Sequence, residues 1–143
     1  MQGFFFVRCD GKYEKVNYDE LIFIRSRRNY MQMVTESKTY LVLTRMSIVK
    51  NYLPKEQFCR IHKSYFVSLY RVKAFDNFTV WLQQPPEEKA FLGLAKTKEL
   101  PLGKYYRKTL REAVIFVPGM TGRISKIKSD AAFVLEGEEM DVE

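Results

Sequence analysis

The side chains best equipped for chemistry lie in three short stretches: RSRRNY at residues 25–30, RIHKSY at 60–65 and LGKYYRK at 102–108. The first supplies Arg25, Arg27, Arg28 and Asn29, the second Arg60, His62, Lys63 and Ser64, and the third Lys104, Arg107 and Lys108. Each mixes cations with an amide, a hydroxyl or an aromatic ring. Such groups neutralise phosphates by charge and reach base edges through directional hydrogen bonds, Arg and Lys to guanine and Asn to adenine. An ordinary solvated face suffices to explain any one stretch. Three together bring a polyanion-binding surface level with that explanation.

Catalytic chemistry has far less to build on. An acid–base or nucleophilic enzyme needs titratable groups held within hydrogen-bond reach of one another. The chain has one histidine, His62, and no HxxxH, GxSxG, GxxxxGK[ST] or GxGxxG pattern. Asp10, Asp19, Glu20, Asp76, Glu87 and Glu88 sit beside turn and break signals, where solvated or turn-capping roles are expected. Cys9 and Cys59 stand apart without CxxC spacing, which favours two buried, reduced thiols over a disulfide or a zinc site. A protein without enzymatic activity, cofactor or metal is expected.

The formal charge of +7 is unevenly spread. Residues 1–112 hold 21 Lys and Arg against 11 Asp and Glu, a balance of +10, whereas residues 113–143 hold 3 against 6, a balance of −3. A basic surface of that size suits phosphate backbones, anionic membranes or acidic proteins. With 143 residues and 46% hydrophobic content, one domain with one sizeable core is expected. No apolar run approaches the roughly 18 residues of a membrane span, and MQGFFFVR lacks the basic start and long apolar stretch of a signal peptide. A cytoplasmic location is expected, without a membrane partner.

The elements that must carry the three stretches read mainly as β. FFFVRC and YEKVNY flank DGK, whose Asp-Gly suits a tight hairpin. ELIFIRS reads as a buried strand, and YMQMVTES and KTYLVL as an antiparallel pair joined through Ser37 and Lys38. TRMSIVKNYLP changes to helical spacing, with Thr44 as N-cap and Pro54 as terminator. Phe58, Ile61, Tyr65 and Val67 fit a core strand pattern. YFVSLYRV, AFDNFTVWL and KAFLGLA return to strand character, with a turn at Asp76–Asn77 and a break at QQPPEE. KYYRKTLREAVIF reads as a helix with Tyr106, Leu110 and Val114 on one face. Domain bounds of 4–114 follow, with residues 115–143 as an extension holding a strand-like pair, GRISKI and AAFVLE, and an acidic end.

These stretches in this order resemble the LytTR family of bacterial DNA-binding response-regulator domains. The resemblance rests on DELIFI, the following NY, a helix ending in LP, the box FxRxHxSYxV at 58–67 and LPLGKYY, and it runs from about residue 4 to 112. It implies a compact fold of small antiparallel β-sheets with short helices, and readout of double-stranded DNA by loops in adjacent major grooves. It places base-facing regions at the RRNY segment, at Lys63 and at Lys104. By contact class, Asn29, Lys63 and Lys104 are the candidates for base edges and Arg27, Arg28, Arg107 and Lys108 for phosphates, with the Ser64 hydroxyl suited equally to a loop cap or a phosphate. His62 becomes a residue that anchors the loop carrying Lys63, with a phosphate contact as the lesser alternative.

The sequence also departs from the family pattern. QQPPEEKAFLGLAKTK replaces a short connection, and Gly103 stands where a small hydroxyl residue is frequent. No phosphoacceptor receiver domain precedes residue 4, so the expectation is either control by a receiver-domain or kinase-pathway partner, or a place within a longer chain. A homodimer on paired sites is compatible with this. Two other readings compete: a basic interaction module for an acidic protein or the chain's own acidic tail, and, behind it, RNA binding through exposed aromatics.

Overall fold

The computed structural model describes residues 3–83 and 98–125. β1 (Phe4–Cys9) and β2 (Lys12–Asn17) form a hairpin in register from Phe4 opposite Asn17 to Cys9 opposite Lys12. Asp10 and Gly11 connect them with φ of 53° and 76°. Positive φ at both positions gives the turn the same twist as its strands, which is why Asp-Gly stands here.

A five-stranded antiparallel sheet forms the middle of the molecule, in the order β5-β4-β3-β7-β6. Its strands are β3 (Leu21–Arg27), β4 (Tyr30–Thr35), β5 (Thr39–Val42), β6 (Phe58–His62) and β7 (Tyr65–Ser68). β3 is central, and Leu21, Ile22, Phe23 and Ile24 are all buried. Leu21 and Ile24 enter one core, Ile22 and Phe23 the other, and an irregular register between Leu21 and Phe23 shifts the alternation. A strand covered on both faces has no need of polar residues, hence the unbroken run.

On one face, the β1–β2 hairpin and α1 (Met46–Val49) bring Val7, Val16, Met46 and Val49 onto Leu21, Ile24, Met31 and Met33. On the other, β8 (Val72–Phe75), β9 (Thr79–Leu82) and β10 (Lys98–Pro101) form a sheet of order β10-β9-β8. That sheet and α2 (Arg107–Ala113) bury Val80, Leu82, Leu100 and Leu110 against Ile61 and Val67. Pro101 is tolerated because β10 is an edge strand.

The mostly β architecture with short helices agrees with the sequence reading, with local corrections. β4 alternates strictly, burying Met31, Met33 and Thr35, where the sequence had suggested imperfect alternation. Arg45, not Thr44, is the N-cap of α1, and no side chain caps it; the Arg45 carbonyl accepts from the amides of Ile48 and Val49. Helix α2 stops at Ala113, and extended Val114 still packs on the second core. YFVSLYRV is two strands in different sheets, divided by the 3₁₀ turn Leu69–Arg71. Tyr65 is only partly buried, whereas Phe58, Ile61 and Val67 are core. Cys59 is buried, which pushes its thiol up to about 11, while Cys9 is half-buried. KAFLGLA and AAFVLE lie outside the described residues, and GRISKI, described through Ser125, has no strand there. No helix among the described residues is long and apolar enough to cross a membrane.

Candidate nucleic-acid interface

Strand register carries all three basic stretches to one end of the molecule. Arg27 pairs with Tyr30 across the two-residue turn Arg28–Asn29, and His62 pairs with Tyr65 across Lys63–Ser64. Arg25 of β3 lies opposite Tyr65 of β7, so both turns leave the sheet at the same edge. The Ser26 amide donates to the Ser64 carbonyl at 2.8 Å, joining them. The Gly103 amide donates to the Ile61 carbonyl at 2.7 Å, which draws the chain leaving β10 against β6 just before Lys104 opens the 3₁₀ turn Lys104–Tyr106. Arg27, Arg28, Asn29, Lys63 and Lys104 are all exposed there.

His62 sits between two of these turns. Its Nδ1 accepts from the Ser64 amide at 3.1 Å, and its ring meets Tyr65 edge-on. A Cβ on Gly103 would lie 3.1 Å from the Tyr106 ring, tighter than an ordinary contact, and at ordinary contact distance, 3.6 Å, from Cα and Cδ2 of His62, so the glycine makes room for the Tyr106 ring in a connection that packs beside the imidazole. Burial lowers the His62 pKa from its ordinary value, and the cations Lys63 and Arg60 lower it further. An accepting Nδ1 places the proton of the neutral ring on Nε2.

Protonation would turn that acceptor into a donor facing an amide. Because the folded pKa lies below the unfolded value of 6.5, the unfolded chain takes up the proton first as pH falls. The stabilisation is therefore complete above 6.5 and is lost as pH drops through the folded value. Urea unfolding at pH 7 and pH 5 is expected to show a larger loss of stability on acidification for the wild type than for His62→Gln, which cannot titrate. Equal losses would mean that His62 keeps the same proton affinity folded and unfolded.

Arg60 directs two of its donor groups at backbone carbonyls. Nη2 donates to the Lys63 carbonyl at 2.7 Å and Nε to the His62 carbonyl at 3.3 Å, and the guanidinium lies 5.8 Å from the Phe66 ring centre and 5.6 Å from that of Tyr106. Ser64 is tied through both backbone groups, to His62 and to Ser26.

The model of the LytTr DNA-binding domain family matches residues 11–115, a span that contains all three turns. The chain belongs to the LytTR family. In a solved structure from Bacillus cereus, the LytTr DNA-binding domain of a protein assigned as a methyl-accepting/DNA response regulator, the fold is similar with a TM-score of 0.61. That similarity covers 81% of this chain and 100% of the other at 16% identity, so it bears on fold alone. No curated protein matches the sequence.

Further residues of this LytTR domain reach the same end without having been singled out in the sequence. The Leu102 amide donates to the Phe78 carbonyl at 2.8 Å, placing the β8–β9 turn beside Lys104. Asp76 Oδ1 caps the amides of Phe78 and Thr79, both at 2.8 Å. Arg107 Nε donates to the Asn77 carbonyl at 2.7 Å with its guanidinium 5.0 Å from the Phe78 ring centre, and Arg111 Nη2 donates to Asn77 Oδ1 at 2.8 Å. Arg107 thus fastens this turn as well as carrying charge. Lys108 lies 3.9 Å from Glu112 in an exposed pair. Arg45 joins Arg28 and Asn29 around a small hollow behind the first turn. Asp76–Asn77 was legible as a turn, but no local signal connects Asn77 with Arg107.

Arg28 has φ of 47°, a conformation that disfavours every residue with a Cβ. The LytTR domain thus keeps a cation at a turn position suited to glycine. Arg28→Gly is expected to raise stability by about 0.5 kcal/mol, because relieved strain slightly outweighs glycine's added unfolded-state entropy. DNA affinity should fall in the same variant. Chemical denaturation and DNA titration together check the opposite signs.

Proposed function

We propose that this LytTR domain binds double-stranded DNA sequence-specifically to regulate transcription, with the β3–β4, β6–β7 and β10–α2 turns entering adjacent major grooves. The observation that carries this reading is the joining of three cation-bearing turns, remote in sequence, by backbone hydrogen bonds from Ser26 to Ser64 and from Gly103 to Ile61. Asn29, Lys63 and Lys104 are assigned to base edges, and Arg27, Arg28, Ser64, Arg107 and Lys108 to phosphates. His62 anchors the Lys63–Ser64 turn. Loops entering successive grooves favour a bent duplex, so flexible steps between the contacted segments add specificity without being touched. A receiver-domain or kinase-pathway protein supplies the signal, and paired sites would allow two copies to bind. Residues 4–114 constitute the DNA-binding unit, and residues 115–143 extend it.

The test is selection from a random-sequence duplex pool followed by anisotropy titration. A short enriched motif, bound at least about a hundredfold more tightly than the pool at physiological salt, is expected; this floor sits below the roughly 10³-fold or greater preference typical of specific readers. Unselective binding lost in moderate salt would overturn the proposal and favour a module for acidic protein partners.

A further inference from the structure

We infer that Arg60 is a positioning residue that locks the β6–β7 turn to the β10–α2 turn, so that Lys63 and Lys104 meet DNA as one unit. The inference rests on the DNA-reading proposal above.

Arg60 begins as one more cation in a basic stretch, yet two of its donor groups point at backbone. One edge of the guanidinium serves the carbonyls of His62 and Lys63, fixing the turn that holds up the Lys63 side chain. The same group is within cation–π distance of Phe66 on β7 and of Tyr106, two residues beyond Lys104. The register irregularity between Arg60 and His62 bends β6 where this side chain leaves it. The Gly103 amide on the Ile61 carbonyl supplies a second tie alongside. Only a flat fork with several fixed donors can serve two carbonyls while lying on aromatic rings; a lysine ammonium keeps the charge but has neither the plane nor the fork.

Charge and position can therefore be separated by Arg60→Lys. Affinities of the wild type and Arg60→Lys would be measured for the selected duplex and for the random pool, with thermal unfolding to establish that each protein is folded. The expected result is an approximately tenfold loss on the selected duplex, within twofold of wild type on the pool and with the same salt slope, because a misaimed side chain loses base contacts but not phosphate attraction. Tyr106→Leu removes the partner on the Lys104 side and leaves the carbonyl bonds in place. It should give a similar loss, and the double variant should lose little more than either single one, as for residues acting through one contact. It also tests the inference independently if Arg60→Lys fails to fold.

Undiminished selectivity in Arg60→Lys would overturn the inference alone, as would equal losses on both DNAs, which mark a direct phosphate contact. Losses that multiply in the double variant would overturn it too. A wild type without selectivity would bring down the DNA-reading proposal and this inference with it.

Discussion

Raising monovalent salt from about 50 to about 200 mM is expected to weaken binding to a random-sequence duplex by roughly 500-fold, a slope of log affinity against log salt near −4.5. Each neutralised phosphate releases condensed counterion, contributing about −0.9 to the slope, so about five contacts give this value. Four of the residues assigned to phosphates are cations, Arg27, Arg28, Arg107 and Lys108, and exposed Arg45, beside Arg28 and Asn29, is available as a fifth. Neighbouring groups limit two of these, since Lys108 faces Glu112 and Arg107 already donates through Nε to Asn77. Arg27→Ala should make the slope shallower by about one unit and weaken all sequences alike. Anisotropy titrations at four or more salt concentrations provide the measurement. A wild-type slope shallower than about −2 would mean that the basic end does not follow the phosphate backbone.

What was readable in the sequence, and what was not, divides along the range of the interactions involved. Asp10-Gly11 declared its hairpin because the requirement for positive φ is local to the turn. The apolar run at Leu21–Ile24 declared a buried strand, although nothing local says which side chain enters which core, since that depends on the irregular register after Leu21. The end of α2 was misread because Val114 satisfies the helical spacing and remains packed even though its backbone is extended. Thr44 looked like a cap because hydroxyl residues favour that position, but Arg45 occupies it, one residue later, without a capping side chain.

The proposed interface shows the same division. Its exposed cations were visible from composition, and the family resemblance placed its base-facing regions at the RRNY segment, Lys63 and Lys104, in separate stretches. The residues that hold those stretches together were hidden because their partners are far off in sequence or are backbone atoms. Arg60 looked like any other cation until its donors were found on the His62 and Lys63 carbonyls. Gly103 looked like the loss of a hydroxyl, whereas in the folded chain it leaves room for the Tyr106 ring, 3.1 Å from where a Cβ would stand. Asn77 meets Arg107 and Arg111 across more than a quarter of a hundred residues, a separation with no local pattern.

Replacing Lys63 with alanine is expected to weaken binding to the selected duplex by about 1 to 3 kcal/mol, roughly 5-fold to 150-fold, with little change on random DNA. The difference between the two DNAs is what assigns the role. A lysine that only neutralises a phosphate loses the same free energy on every sequence, whereas one that donates to a guanine edge loses it only where that guanine is present. The second role is the one proposed for Lys63, which stands on a two-residue turn whose backbone is fixed on both sides, by Ser64 to Ser26 and by Arg60 to the Lys63 carbonyl itself. A fixed backbone limits the positions an otherwise flexible ammonium can sample and so favours one base pair over its neighbours. The effect should therefore be concentrated at one position of the selected motif. Repeating the selection with Lys63→Ala should relax the preference there and leave the rest of the motif unchanged. An identical motif, or equal weakening on selected and random duplexes, would remove Lys63 from the base-reading set and return it to the phosphate contacts.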